Sequence, residues 1–226
     1  MTTHKRMLYI LTSHDTLGDD GRPTGFHLGE TVRPWSIARA AGYHVDFASV
    51  RGGKPPMIGH DPDAAEETAF LADADVRDKL DRTLTPEDVD ASRYGGVLFV
   101  GGHGTMWDFR GNARLESAAR SIYEAGGVVA AICHGQAALV DLTLSDGSYL
   151  VAGKALTAFS NESEAARGLT DVVPFSLQSV LEARGALYSC APDRIAHVVV
   201  GERLVTGQNP ASAPELGRRM VELLGQ

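Results

Sequence analysis

The sequence alternates between short apolar runs and segments with helical periodicity. Strand-like runs occur at residues 7–12, 43–48, 96–100, 127–132, 154–158, 197–200 and 204–206. Apolar residues recur at helical spacing in residues 31–41, 112–125, 135–140, 175–183 and 211–224. Strands that are apolar on both faces and are joined by helices form parallel sheets covered on both sides. The pattern therefore predicts an α/β fold with a doubly wound, mostly parallel sheet.

Length and composition favour a single domain. The chain has 226 residues, of which 43% are hydrophobic and 22% charged, so it can bury a full core. No Ser/Gly/Pro-rich linker and no repeat divides it. We predict one domain over residues 1–226, with an insertion at about residues 51–86. That insertion is acidic, opens with RGGKPPMIGHDPD and has short helical stretches, and we predict that it forms a small cap over the sheet edge.

Net charge, apolar segments and cysteine content indicate the kind of partner and the compartment. The formal net charge of −8 argues against nucleic acid or an anionic membrane, because both would repel such a surface. No stretch approaches the roughly 20 apolar residues of a membrane helix, and the first residues, MTTHKR, do not begin a signal peptide. Two cysteines in so long a chain do not suggest a disulfide framework. These features predict a cytoplasmic protein that binds a small molecule or another protein.

Polar residues concentrate directly after the predicted strands. Residues 13–30 are SHDTLGDDGRPTGFHLGE, residues 101–109 are GGHGTMWDF and residues 133–136 are CHGQ. In parallel sheets the carboxyl ends of the strands lie at one edge, where ligands bind. We therefore expect these loops to form the functional site.

Cys133 stands where a predicted strand meets a predicted helix. In AICHG, small residues two positions to each side of the cysteine allow the sharp turn of a nucleophile elbow. A helix that begins after Cys133 would lower the pKa of its thiol and favour the thiolate. We predict that Cys133 is a nucleophile; the alternative is that it packs as a small apolar residue. Cys190, in YSCAPDR, has no such surroundings and is predicted to be structural.

Four separated motifs together resemble one family. TGFHLGE, FVGGHGTMWDF, AICHG and TGQNPAS follow one another along the chain as in the DJ-1/PfpI superfamily. More narrowly, they resemble its Hsp31-like branch of glutathione-independent glyoxalase III enzymes, chaperones and reported deglycases. The resemblance spans about residues 7–224. It implies a flavodoxin-like fold, similar to class I glutamine amidotransferases, that forms a homodimer and needs neither cofactor nor metal.

The resemblance also implies roles for single residues. Glu30 matches the family's acidic residue that hydrogen-bonds the nucleophilic Cys133. A carboxyl near a thiolate should have a raised pKa and can exchange a proton with the substrate; Glu30 is also placed to favour the dipole of the next helix. His134 matches the catalytic histidine. The N–H groups of Gly102 and His134 match the oxyanion hole.

The acid that orients His134 is left open between two residues. It lies within KALTAFSNESEAA, where both Glu162 and Glu164 fit and Glu164 is slightly preferred. The alternative is that both carboxylates face solvent at a helix start.

Other residues near the motifs are candidates for substrate binding, although each is equally compatible with ordinary packing. They are His27, His103, Trp107 and Asn209. Eight histidines are present, but none forms HExxH or a Cys/His spacing typical of zinc, so no metal site is predicted. GGHG also lacks the residues of a P-loop or GxGxxG motif.

The function that the resemblance implies is cysteine-dependent conversion of 2-oxoaldehydes such as methylglyoxal to 2-hydroxy acids, or deglycation of early glycation adducts. Glycated or unfolded proteins are further candidate partners. The alternatives are a holdase chaperone, an oxidative-stress sensor whose thiol is easily oxidised, an amidase or peptidase, and an isocyanide hydratase. AHVVVGE lacks the late His-x-Glu pair of glutamine amidotransferases, which disfavours a glutaminase.

Overall fold

The computed structural model describes residues 5–19 and 21–226. The strands are β1 (Arg6–Leu11), β2 (Thr16–Leu17), β3 (Arg22–Pro23), β4 (Phe26–His27), β5 (His44–Ser49), β6 (Met57–Ile58), β7 (Gly96–Phe99), β8 (Val128–Ile132), β9 (Ala155–Leu156), β10 (Leu187–Tyr188), β11 (Val198–Gly201) and β12 (Leu204–Gly207). The α-helices are α1 (Leu28–Ala40), α2 (Ala65–Ala72), α3 (Ala74–Asp81), α4 (Thr105–Asp108), α5 (Ala113–Glu124), α6 (Asn161–Ala166), α7 (Leu177–Ala183) and α8 (Ala213–Leu224). Short 3-10 helices cover Ala91–Arg93, Gly135–Leu139 and Pro210–Ser212.

The central sheet has six strands in the order β11-β12-β8-β7-β1-β5. Its last five strands pair in parallel, and β11 pairs antiparallel to β12 at one edge. Taken along the chain, the parallel strands have the order 2-1-3-4-5 of flavodoxin-like folds. The prediction of a doubly wound, mostly parallel sheet is confirmed.

Burial explains why these segments form strands and helices. β8, with the sequence VVAAI, is buried at every position, as a central parallel strand must be. Helices α1 and α8 pack against each other, and α8 also contacts β8 and β12, whereas α5 packs on β7 and β8. The buried residues of α5 recur at positions i, i+3, i+4, i+7 and i+8 counted from Leu115, so they form one face of the helix that packs on the sheet.

Two predicted elements differ from the structure. Residues 135–139 form a 3-10 helix, shorter and tighter than the expected α-helix. Within residues 154–158 only β9 is a strand, and it pairs with β10 outside the central sheet. Beside β12, the Thr157 N–H donates to Thr206 Oγ1, 2.9 Å. A side-chain oxygen here takes the place of the backbone acceptor that a neighbouring strand of the sheet would offer.

The insertion lies beside the amino-terminal half of the fold. Residues 51–86 contain β6, α2 and α3, which contact β4, α1 and β5, respectively. An ion pair between Arg33 of α1 and Glu67 of α2, 3.5 Å, ties the insertion to the body of the domain. Gly59 lies against the imidazole ring of His27. A capping role for this segment stays a prediction.

Parts of two sequence predictions lie outside the described residues. Residues 1–4 belong to MTTHKR and Asp20 belongs to the loop of residues 13–30. Among the helices in the described ranges, none combines the length and apolar character needed to cross a bilayer.

Candidate active site

Cys133 occupies a strained turn at the end of β8. Its φ of 61° lies in the left-handed region, which residues other than glycine rarely adopt. Two backbone hydrogen bonds hold this turn, one from the Cys133 N–H to the Gly207 carbonyl, 2.8 Å, and one from the Phe159 N–H to the Cys133 carbonyl, 3.0 Å. Such strain is typical of a nucleophile elbow, so the local geometry expected from AICHG is present.

His134 connects the thiol to a carboxylate. Its Nδ1 lies 3.3 Å from Cys133 Sγ, and its Nε2 lies 2.7 Å from Glu164 Oε2. The second carboxylate oxygen, Glu164 Oε1, lies 2.9 Å from Nε2 of His103. One carboxylate therefore joins two imidazole rings.

The charges of this group follow from burial and hydrogen bonding. Burial, together with the nearby His103, lowers the pKa of His134 to about 4, so this imidazole is neutral at neutral pH. Burial alone would raise the pKa of Glu164, but the hydrogen bonds with His103 and His134 outweigh it and hold this pKa well below its usual range. An ionised carboxylate only accepts, so Nε2 of His134 carries the proton and its Nδ1 has a free lone pair beside the thiol.

Helix α6 carries both candidate acids, Glu162 and Glu164. The Ser160 hydroxyl caps this helix by accepting from the Ser163 N–H, 3.1 Å. On the first turn Glu164 is buried and faces His134, whereas Glu162 is exposed. Phe159 packs its ring on that of His134 with centroids 4.3 Å apart, which further fixes the imidazole. The preference for Glu164 over Glu162 therefore agrees with the geometry.

Glu30 is a fully buried acid next to Cys133. It lies in the first turn of α1, and among the described residues neither carboxyl oxygen has a hydrogen-bond partner at normal distance and angle. A Cβ at Gly101 would lie 2.3 Å from Glu30 Oε2 and 2.8 Å from Cys133 Cβ, so the bare glycine lets the two groups approach. Burial raises the pKa of Glu30 to about 8, although the thiol and the Gly101 backbone act in the opposite direction. The raised pKa was expected, but burial is its main cause.

The expected lowering of the Cys133 pKa is wrong. Burial of the sulfur, together with the nearby Glu30 carboxyl, raises this pKa well above its usual value, and only the His134 N–H acts to lower it. The 3-10 helix that follows is too short to supply the dipole that a longer α-helix would. At rest Cys133 is therefore a thiol, and it can act as a nucleophile only if a base removes its proton.

Gly102, the candidate for the oxyanion hole, lies in the loop after β7. Gly102 has a φ of 113°, and a Cβ there would lie 2.0 Å from the Gly25 carbonyl oxygen, so only glycine fits. Thr105 Oγ1 lies 2.9 Å from the Gly102 carbonyl oxygen and 2.8 Å from that of His134, and it ties the two loops together. Within residues 5–19 and 21–226, no protein oxygen accepts from the N–H of Gly102 or His134.

The four candidate binding residues differ in their surroundings. His103 lies against His134, with ring centroids 3.9 Å apart. Trp107 stacks on His14, with centroids 5.0 Å apart and planes 6° from parallel. His27 donates its backbone N–H to the Gly101 carbonyl oxygen, 2.9 Å, and its buried Nδ1 has no partner in the described part of the chain. Asn209 bonds the Ile195 carbonyl and Ser212 Oγ, so the fold itself uses its side chain.

Cys190 was predicted to be structural, and its surroundings differ from those of Cys133. Its side chain is exposed, and it lies in the loop after β10. The loop lies outside the sheet, which leaves the thiol facing solvent.

Sequence reasoning missed two residues that shape the site. Thr105 joins the loops of Gly102 and His134, and Phe159 supports the His134 ring. A threonine directly after GGHG at a helix start is a signal that could have been used. The position of Phe159 has no comparable signal, because its contact joins residues far apart in the chain.

Comparisons with known proteins agree with this geometry. The DJ-1/PfpI family matches residues 23–223. The chain is 34% identical to glutathione-independent glyoxalase HSP31 of Saccharomyces cerevisiae, over 97% of this chain and 98% of that protein. It is 31% identical to Glyoxalase 3 of Candida albicans, over 92% and 93% of the two chains.

Solved structures show the same similarity. Rapid Encystment Protein 24 KDa of Francisella tularensis superposes with a TM-score of 0.93 at 36% identity, covering 97% of this chain and 98% of that one. Glyoxalase III of Candida albicans superposes with a TM-score of 0.89 at 28% identity, with the same coverage. With the matched motifs, the strained cysteine and the shared fold, these similarities establish that the chain belongs to the DJ-1/PfpI family.

Proposed function

We propose that the protein is a glutathione-independent glyoxalase that converts 2-oxoaldehydes such as methylglyoxal to 2-hydroxy acids. The observation that carries the proposal is the chain of contacts from Cys133 through His134 to Glu164, beside a Glu30 whose pKa is about 8. This arrangement supplies a nucleophile, a base for its proton and an acid for the substrate oxygen. The names of relatives that align over nearly the whole chain point the same way.

In the first step Cys133 Sγ attacks the aldehyde carbon, C1. The thiol proton passes to Nδ1 of His134, 3.3 Å away, and the ionised Glu164 stabilises the resulting imidazolium. The N–H groups of Gly102 and His134 bind the charge that develops on the aldehyde oxygen. Glu30 then gives its proton to that oxygen, which leaves a hemithioacetal and a Glu30 carboxylate.

In the second step a hydrogen moves between the two substrate carbons. The Glu30 carboxylate removes the proton from C1 and returns it to the neighbouring carbonyl carbon, C2. His134 protonates the oxygen on C2 and takes the proton from the oxygen on C1. The product is a thioester of Cys133 and a 2-hydroxy acid, and both side chains regain the charges they had before this step. A group with a pKa near the working pH suits such a transfer, which favours Glu30 as the carbon base.

In the last step water hydrolyses the thioester. The Glu30 carboxylate takes a proton from the attacking water, and the departing sulfur takes the proton of the His134 imidazolium. The 2-hydroxy acid is released, and Cys133, His134 and Glu30 return to their starting states. The balance is one 2-oxoaldehyde and one water consumed for each 2-hydroxy acid, with no external oxidant or reductant.

The direct test is an assay without glutathione. Purified protein is mixed with methylglyoxal, and loss of the aldehyde and formation of lactate are followed together. We expect lactate in proportion to the aldehyde consumed, no turnover by Cys133→Ala, and unchanged turnover by the control Cys190→Ala, which alters an exposed thiol. Absence of lactate with the wild type, or equal turnover by Cys133→Ala, contradicts the proposal.

The remaining expectations are proposals on the same basis. We propose that the enzyme acts in the cytoplasm as a homodimer, and that an early glycation adduct reacts with the same thiol. Light scattering coupled to size-exclusion chromatography tests the dimer. A mass of one chain at micromolar concentration contradicts it.

A further inference from the structure

Three potential metal ligands meet at the candidate active site. One ring nitrogen each of His103 and His134 and one carboxylate oxygen of Glu164 lie within 4.8 Å of one another. In both rings it is Nε2 that contacts the carboxylate. These residues come from the loop after β7, the elbow after β8 and helix α6. Because they are far apart in sequence, a search for short metal-binding motifs does not find them.

The donor set matches a known class of metal site. Two imidazole nitrogens and one carboxylate bind zinc in sites that keep a further position open. The two rings lie 3.9 Å apart between centroids, with planes tilted by 39°, and both direct Nε2 to the same carboxylate. An ion at this point displaces the two protons that now join the rings to Glu164.

The three ligands differ in how far they are exposed to solvent. The side chain of His134 is 0% exposed, that of Glu164 is 10% exposed and that of His103 is 18% exposed. His103 is therefore the least buried of the three ligands, and His134 is the most deeply buried. The ligands of the inner side are held by the Phe159 ring and by helix α6, so the set is preorganised.

We propose that His103, His134 and Glu164 bind one divalent transition-metal ion, and that this ion inhibits the enzyme by removing the His134–Glu164 hydrogen bond. Binding is independent of the proposed function. Inhibition rests on the proposed function, because it assumes that His134 accepts the thiol proton while Glu164 holds its other nitrogen.

The binding test uses Zn²⁺ and tag-free, full-length protein. Zn²⁺ is titrated against a chromophoric chelator, and native mass spectrometry counts the ions bound. We expect one ion per chain, and an affinity lower by at least about tenfold in both His103→Asn and Glu164→Gln, since even loss of an outer-shell partner has that effect. The control His60→Asn removes an exposed histidine outside the cluster and should bind as the wild type does.

A second measurement distinguishes loss of metal binding from misfolding of a variant. Zn²⁺ should raise the Tm of the wild type and of Cys133→Ser, and should raise that of His103→Asn and Glu164→Gln clearly less. Circular dichroism shows whether the variants are folded. Unchanged affinity in both ligand variants overturns the proposal, as does loss of binding in His60→Asn. Loss of Zn²⁺ binding in Cys133→Ser together with retained binding in His103→Asn also overturns the proposal, because the thiol would then be the ligand.

Inhibition is measured separately. Zn²⁺ should abolish methylglyoxal turnover by the wild type, and a chelator should restore it. Binding of one ion without inhibition overturns the inhibitory part of the proposal. If the metal-free enzyme shows no turnover, the proposed function fails, whereas the titration and the Tm shift still decide the metal site.

Discussion

Nε2 of His134 lies 2.7 Å from Oε2 of Glu164, and this contact decides which nitrogen of the imidazole carries the proton. The carboxylate accepts the Nε2 proton, so the lone pair of the imidazole is on Nδ1, next to the Cys133 thiol. Because burial raises the pKa of the thiol, the proposed mechanism activates it through this pair rather than through a preformed thiolate.

Replacing Glu164 by glutamine should reduce kcat/KM for methylglyoxal by about 10²- to 10⁴-fold. The amide keeps the size of the side chain but carries no charge to stabilise the imidazolium. Steady-state kinetics of Glu164→Gln measures the effect. Glu162→Gln, on the exposed side of the same helix, is the matched control and should keep full activity. Equal losses in the two variants contradict the assignment.

The pH profile of kcat/KM should be bell-shaped with unusual limits. Burial lowers the pKa of His134 to about 4, so the base remains neutral in mildly acidic solution. Burial raises the pKa of Glu30 to about 8, and above that pH the acid has already lost its proton. Activity should therefore rise through about pH 4 and fall through about pH 8. An acid limb near the ordinary histidine pKa of about 6.5 would contradict this account.

Glu30→Gln should abolish activity yet stabilise the fold at alkaline pH. The folded-state pKa of Glu30, about 8, is above the ordinary value of 4.5, so between these values the folded chain binds more protons than the unfolded chain. The free energy of unfolding therefore falls as pH rises through this window. Urea unfolding should show that the free energy of unfolding of Glu30→Gln rises relative to that of the wild type between about pH 5 and about pH 8.5. The size of the pKa shift makes this gain on the order of a few kcal/mol. If the difference in the free energy of unfolding between variant and wild type does not change with pH, burial of the ionised Glu30 carboxylate does not destabilise the fold, and the prediction is wrong.

The two thiols should differ in reactivity. Burial raises the pKa of Cys133, whereas Cys190 is exposed. Iodoacetamide at about pH 7 should therefore alkylate Cys190 first, since the thiolate is the reactive form and access is required. Mass spectrometry of the two cysteine peptides over time gives both rates. Faster labelling of Cys133 would indicate a resting thiolate and contradict the proposed proton transfer to His134.

Asn112→Ala should lower the free energy of unfolding by about 1 kcal/mol. The Asn112 side chain caps α5 by accepting from the N–H groups of Arg114 and Leu115, both at 3.2 Å. Alanine leaves these donors without a side-chain acceptor, whereas aspartate replaces the cap. Urea denaturation should show a lower midpoint for Asn112→Ala and little change for Asn112→Asp. In the described residues Asn112 makes no hydrogen bond with Cys133, His134, Glu30 or Glu164, so activity of the folded variant should be retained.

Much of the fold and part of the site could be predicted because their signals are local. The buried runs of β1 and β8 and the helical periodicity of α5 and α8 are visible within single segments. The elbow at Cys133 is likewise encoded by small residues around one position. The choice between Glu164 and Glu162, by contrast, has no local signal, because the length of the loop that carries them does not determine which side chain faces His134.

The sequence by itself determined the parallel sheet, the position of Cys133 at the end of β8 and the loops that reach the same edge, because periodicity and turn chemistry are properties of neighbouring residues. Only the tertiary structure decided which charges those loops bring together. Glu30, Cys133 and Glu164 are remote along the chain, yet burial in one site raises the pKa of the first two, while two imidazoles lower that of the third. Desolvation and distance act through space, and for this reason the thiol predicted to be a thiolate is a buried, protonated group.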